Sequence, residues 1–134
     1  MLWKSFGKTP KVKVRGFKRF LRSFKYSYDG LKYAYVNEQS LTIHITVAII
    51  VVIAGITLQI SQIQWLFILM CIGIIMATEL INTSIEATID LISPEINALA
   101  KIAKDTASAA VFVFSIVAAT GGIIIFLPKL LALL

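Results

Sequence analysis

The sequence predicts an all-α integral membrane protein, with three transmembrane helices preceded by an amphipathic helix on the membrane surface. Three observations carry this. The chain is 58% hydrophobic with a mean hydropathy of +0.87, whereas soluble domains are roughly half apolar. Long apolar runs occur three times. Ten of the thirteen Lys and Arg residues lie between Lys4 and Lys32, so a basic block leads straight into those runs. A chain of net charge +6 suits either nucleic acid or an anionic membrane surface. The position of the block selects the membrane and leaves no nucleic-acid partner. At 134 residues one domain is expected, residues 16–134, behind a flexible basic tail at 1–15.

Within residues 17–35, Phe17, Phe20, Leu21, Phe24, Tyr28, Leu31 and Tyr35 recur at spacings of three and four among basic residues. This pattern predicts a helix whose apolar face enters an anionic leaflet while its basic face stays in the headgroups. A solvated linker helix with its aromatics packed on the protein is the plainer alternative. The N-terminus does not read as a cleavable signal, because about forty mostly polar residues precede the first apolar run.

The first span, 41–60, holds no Asp, Glu, Lys or Arg and at ~1.5 Å per residue covers the ~30 Å hydrocarbon thickness. The second, 63–91, starts apolar and carries its helical pattern on through Glu79. The third, 107–127, is expected to close at Pro128 and Lys129. The connection around Ser61 and Gln62 is uncharged, whereas the N-terminus and the segment 92–106 carry Lys or Arg. The positive-inside rule then places the N-terminus and 92–106 in the cytoplasm, with Trp65 as an outer interfacial anchor. Cys71, the single cysteine, reads as packing. Gly121 and Gly122 read as a close helix contact, with Ala118 and Gly122 at small-xxx-small spacing.

The most informative stretch lies late in the second span. Glu79, Asn82, Glu86 and Asp90 fall within about 80° of one helix face at ~100° per residue. Glu79 stands about 21 Å along the helix from Trp65, inside the cytoplasmic leaflet. Acids at that depth need a partner, a cavity or a function. A divalent cation would relieve their mutual repulsion, and oxygen ligands suit Mg²⁺. A capping and interhelical hydrogen-bond network, or a proton or ion relay, are the competing explanations. Farther on, Lys101, Lys104, Asp105 and Ser108 recur at helical spacing, placing a cation for phosphate oxygens beside another oxygen ligand. A solvated helix start explains the same residues more plainly. Glu38 is unremarkable in isolation, His44 reads as an interfacial hydrogen-bonding residue rather than a catalyst, and one His with one Cys makes no zinc site. There is no GxxxxGK[ST] loop and no protein-kinase signature.

ELINTSIE at 79–86, Asp90, AKIAKD at 100–105 and SAAV at 108–111, together with YDGLKYAYVNE at 28–38 and FLPK at 126–129, resemble the small prokaryotic diacylglycerol kinase and undecaprenol kinase family. The resemblance spans about residues 17–129 and implies a homotrimer with active sites shared between subunits, in a bacterial inner membrane. It implies transfer of a phosphoryl group from ATP, with Mg²⁺, to a membrane lipid alcohol at the cytoplasmic interface. Carried over by motif, Glu79 resembles the general base, and Glu38 and Glu86 resemble the metal and nucleotide ligands. Asn82, Asp90, Lys104 and Asp105 would complete the ATP site, assisted by Arg19, Tyr26, Glu95 and Asn97. Arg19, Glu79 and Ser108 would meet the lipid. The sequence departs from many relatives at Asp29 and Thr42, where they carry basic residues, and at Ile96-Asn97, where they carry an aromatic–His pair. FLPK and His44 resemble the undecaprenol branch, and Ser108 in SAAV the diacylglycerol branch. Undecaprenol is the first expectation and diacylglycerol the alternative. A small transporter or assembly scaffold is the rival outside enzymes, although a transporter should place its acids near the bilayer midplane.

Overall fold

A computed structural model describes residues 16–95 and 97–133, and the expected tail at 1–15 lies outside the described residues. All regular structure described is helical: α1 (Phe17–Asn37), α2 (Gln39–Thr57), α3 (Gln62–Ile92) and α4 (Ala98–Leu131). The chain divides into two compact units, Met1–Tyr33 and Ala34–Leu134, so most of α1 belongs to the first and α2–α4 to the second.

α1 carries its aromatics as a stripe along its own length. The Phe17 and Phe20 rings stack 6.3 Å apart, and Phe24 meets Phe20 edge to face at 5.1 Å. All three are exposed, as are Leu21, Tyr28, Leu31 and Tyr35. An apolar stripe flanked by Lys18, Arg19, Arg22, Lys25 and Lys32 is the composition of a helix that lies in a headgroup region. The helix stops where Glu38 turns extended, with φ −107° and ψ 109°, as the N-cap of α2.

Helices α2, α3 and α4 are each long and apolar enough to cross a membrane, with 19, 31 and 34 residues. At ~1.5 Å per residue α3 exceeds a ~30 Å hydrocarbon layer by several turns. Its later turns, which carry Glu86 and Asp90, therefore have length to emerge. The first span, expected at 41–60, ends as a helix at Thr57 because a Schellman turn follows: Gln59 N–H donates to the Ile56 carbonyl at 3.3 Å and Ile60 N–H to that of Gly55 at 3.1 Å. Gln59 holds the left-handed position, φ 48°. Ser61 then caps α3 through a capping box with Gln64, each side chain bonded to the other's backbone N–H. The third span, expected at 107–127, belongs to a helix that begins nine residues earlier. It also continues past Pro128, which lies inside its last turns rather than closing it.

The end of the bundle near the α2–α3 turn is closed by Ile60, Ile68 and Ile125, packed against Val51, Trp65, Phe67, Ile72 and Phe126. Trp65 thus serves the packing: a Cβ on Gly55 would stand 2.8 Å from its Cη2. Gly121 admits the Phe67 ring, which a Cβ there would overlap, whereas a Cβ on Gly122 would meet nothing within 4 Å. The close helix contact is therefore made at Gly121. The Ala118–Gly122 pair instead lines an apolar cavity of about 340 Å³ between α2, α3 and α4, along with Cys71, His44 and Ser115. Lys129 donates to the Gln59 carbonyl at 3.4 Å and ties α4 to the turn.

Candidate functional site

Among the described residues the buried polar side chains are Glu79, Asn82 and Thr83, all on α3. An apolar helix buries such groups only where something answers them. Thr83 answers itself, its hydroxyl donating to the Glu79 backbone carbonyl at 3.1 Å. The Glu79 carboxylate, 3% exposed, accepts a hydrogen bond at Oε1 from the Ser40 hydroxyl in the first turn of α2. Asn82 Nδ2 donates to Glu86 Oε1 at 3.1 Å, one turn along the helix. Asn82 Oδ1 is buried with no hydrogen-bond partner among the described residues.

The stripe then meets α4. Lys104 Nζ lies 2.5 Å from Asp90 Oδ1, and Glu86 adds to the negative field at the same ammonium. The sequence sets Lys104 and Asp105 side by side, but the structure gives them different partners. Asp105 pairs with Lys101 at 2.8 Å along α4's own exposed surface, because residues four apart share a helix face and adjacent ones do not. Ser108 is exposed one turn farther.

Glu38 is half-buried at the start of α2 and makes no side-chain capping bond. Asn97 caps α4, its Oδ1 accepting from Leu99 N–H at 2.8 Å and Ala100 N–H at 3.4 Å. Near it, the Glu95 carbonyl accepts from Ser93 Oγ at 3.3 Å. These local bonds make Asn97 the N-cap of α4, a task for which asparagine is among the favoured residues. Its neighbour Ile96 lies outside the described residues. Arg19 and Tyr26 are exposed on α1, in the other unit.

One chain thus gathers Glu79 with Ser40, Asn82 with Glu86, and Asp90 with Lys104. No three His, Cys, Asp or Glu side chains among the described residues are grouped to hold a metal ion. The donor chemistry nonetheless fits a hard cation in part. Glu86 and the unpartnered Asn82 oxygen are neighbouring oxygen donors of the kind that bind magnesium, which keeps the rest of its shell for water and phosphate. Chemically, the stripe offers a carboxylate shielded from water, oxygen donors beside it, and an ammonium at its outer end. Ser40 is the member of this group that the sequence does not single out. Nothing in the QSL context marks it, because its role depends on the approach of α2 to α3.

Residues 25–126 match the family described as prokaryotic diacylglycerol kinase. The chain is 40% identical to an undecaprenol kinase of Bacillus subtilis strain 168, over 84% of this chain and 91% of that protein. It is 38% identical to a diacylglycerol kinase of Helicobacter pylori strain 26695, over 73% and 77% of the two chains. A diacylglycerol kinase of Escherichia coli K12 is 32% identical over 77% and 84%.

Proposed function

From the premise that this chain belongs to the prokaryotic diacylglycerol kinase family, we propose that it phosphorylates undecaprenol at the cytoplasmic membrane interface, with Glu79 as the general base. The general class is plain: the protein is a membrane lipid kinase, a phosphotransferase with an alcohol acceptor. The observation that carries the residue-level reading is the burial of Glu79 on the same face of α3 as the Asn82–Glu86 pair. A carboxylate held away from water is suited to taking a proton from an alcohol within hydrogen-bond reach.

In this reading the Glu79 carboxylate accepts the proton of the lipid hydroxyl as the lipid oxygen bonds to the γ-phosphorus of ATP. The bond from that phosphorus to the β–γ bridging oxygen breaks, releasing ADP and leaving the lipid phosphate. Such a transfer needs positioning and charge neutralisation more than covalent chemistry. Lys104 offsets charge on the transferred phosphoryl group, and Asn82, Asp90 and Asp105 orient the nucleotide. Magnesium, held by Glu38 and Glu86, would neutralise the polyphosphate when bound. The resemblance to the family further implies nucleotide contacts for Glu95, Asn97, Arg19 and Tyr26, and lipid contacts for Arg19 and Ser108. As that resemblance also implies, the assembly is taken to be a homotrimer with active sites shared between subunits, in the bacterial inner membrane with the N-terminus cytoplasmic.

Undecaprenol is favoured by the similarity to the B. subtilis enzyme along most of both chains. Diacylglycerol remains the second reading, on the names of the H. pylori and E. coli relatives. The deciding experiment incubates the purified protein with radiolabelled ATP, Mg²⁺ and each lipid alcohol in bilayers. Undecaprenyl phosphate should form faster than phosphatidic acid, and Glu79→Gln should form neither while still inserting. Full turnover by Glu79→Gln would remove the base assignment. Faster phosphatidic acid formation would reverse the choice of substrate.

A further inference from the structure

Ser40 occupies the first turn of α2, two residues after Glu38, and its hydroxyl donates to Oε1 of the buried Glu79. The bond crosses between two helices and thirty-nine positions of sequence. We propose that Ser40 is a positioning residue for phosphoryl transfer: it pins one carboxylate oxygen of Glu79, so that Oε2 is the oxygen that takes the acceptor's proton. This rests on the reading of Glu79 as the base.

The physical case starts from the freedom of a carboxylate. The terminal torsion of a glutamate is broad and roughly two-fold, so an unpinned Glu79 spreads over orientations that do not face a lipid hydroxyl. A buried acceptor left without a donor is also costly, so the hydroxyl both satisfies and orients it. The other buried polar side chains among the described residues donate elsewhere, Asn82 Nδ2 to Glu86 and the Thr83 hydroxyl to the backbone. The same contact sets the start of α2, and with it Glu38, in register with α3. Base and candidate metal ligand are thereby related through one hydroxyl.

A group that orients the base without binding either substrate acts on kcat rather than KM. The test is steady-state kinetics of the full chain in bilayers with Mg²⁺, ATP and undecaprenol, comparing Ser40→Ala, Ser40→Thr, Ser40→Cys and Glu79→Gln. Ser40→Ala should lower kcat about 10-fold with both KM values within about 2-fold, since misplacing a reacting group costs rate steeply. Ser40→Thr should return kcat to within about 3-fold of the parent, and Ser40→Cys, a weaker donor, should fall between. Parental kcat in Ser40→Ala overturns the proposal. So does a rise in both KM values that Ser40→Thr does not correct, which would make the hydroxyl a packing group. Should Ser40→Ala fail to insert, equal kcat values for the Cys and Thr variants overturn it as well. Undiminished turnover by Glu79→Gln would instead bring down the underlying base assignment, whatever Ser40 does.

Discussion

Lys104 of α4 stands 2.5 Å from Asp90 of α3, bridging the two helices across the short connection at 93–97. Both ends of the pair keep contact with solvent, the side chains being 36% and 66% exposed. Pairs of this kind add little to stability, because water screens them and two long side chains must be held in one geometry. Their position matters more. The ammonium ends a line of carboxylates that would otherwise repel any polyphosphate.

Lys104→Met should therefore leave insertion and thermal stability nearly unchanged and lower kcat/KM for ATP by about 100-fold, the scale of losing one charge-stabilising donor. The exchange of charges, Asp90→Lys with Lys104→Asp, separates the two roles of the residue. It restores the ion pair but moves the cation to α3. Activity should stay low in the double variant. Recovery to parental activity would show that Lys104 serves only to hold α4 against α3.

Glu86 accepts from Asn82, whose own oxygen has no partner among the described residues. Glu86→Gln keeps the size of the side chain and removes its charge, so the local hydrogen bond has a neutral replacement while a cation ligand is lost. The Mg²⁺ concentration for half-maximal activity should rise by about 10-fold or more, the scale on which metal sites respond to altered ligation. A titration at saturating ATP and lipid measures it. An unchanged midpoint would move the metal away from Glu86.

Much of this arrangement is legible in the sequence. Apolar runs long enough to span a bilayer report helices directly, because only fully hydrogen-bonded backbone survives in hydrocarbon. The stripe from Glu79 to Asp90 is legible because a helix repeats at 3.6 residues. Other features are not. Asp105 looks like a companion of Lys104 because the two adjoin in sequence, yet a helix points adjacent side chains about 100° apart and Asp105 turns to Lys101. Pro128 looks like a stop, yet α4 runs on to Leu131, although the ring cannot donate to the Ile124 carbonyl and crowds it. The packing role of Trp65 is hidden too, because nothing in the sequence shows that Gly55 makes room for its ring. Ser40 is invisible for the same reason: its partner lies on another helix.

The α2–α3 turn offers a test of stability alone. Gln59 is held at φ 48°, a conformation that costs an L-residue with a Cβ roughly 1–2 kcal/mol and glycine almost nothing. Gln59→Gly should stabilise the protein, by about 0.5 kcal/mol once the added freedom of the unfolded chain is set against the relieved strain. Its backbone carbonyl remains to accept from Lys129. Reversible unfolding in mixed micelles measures the change, and a loss of stability would contradict the assigned strain. Lipid kinase activity should be unaffected, since the turn lies at the opposite end of α3 from Asp90.

Orientation is the last expectation, and the lengths of the helices make it testable. Gln62 opens α3 and Ile92 closes it, a separation of about 45 Å at 1.5 Å per residue. That exceeds the hydrocarbon thickness, so both ends reach an aqueous face. Lys101 and Lys104 follow the Ile92 end within α4, and positive charge holds such segments in the cytoplasm. Replacing the free thiol, Cys71→Ala, gives a background for single labels. In intact cells a membrane-impermeant maleimide should then modify Gln62→Cys and leave Ile92→Cys untouched, whereas inverted vesicles should show the reverse. Labelling of Ile92→Cys from outside intact cells would turn the protein over and put the Glu79 stripe in the leaflet that ATP does not reach.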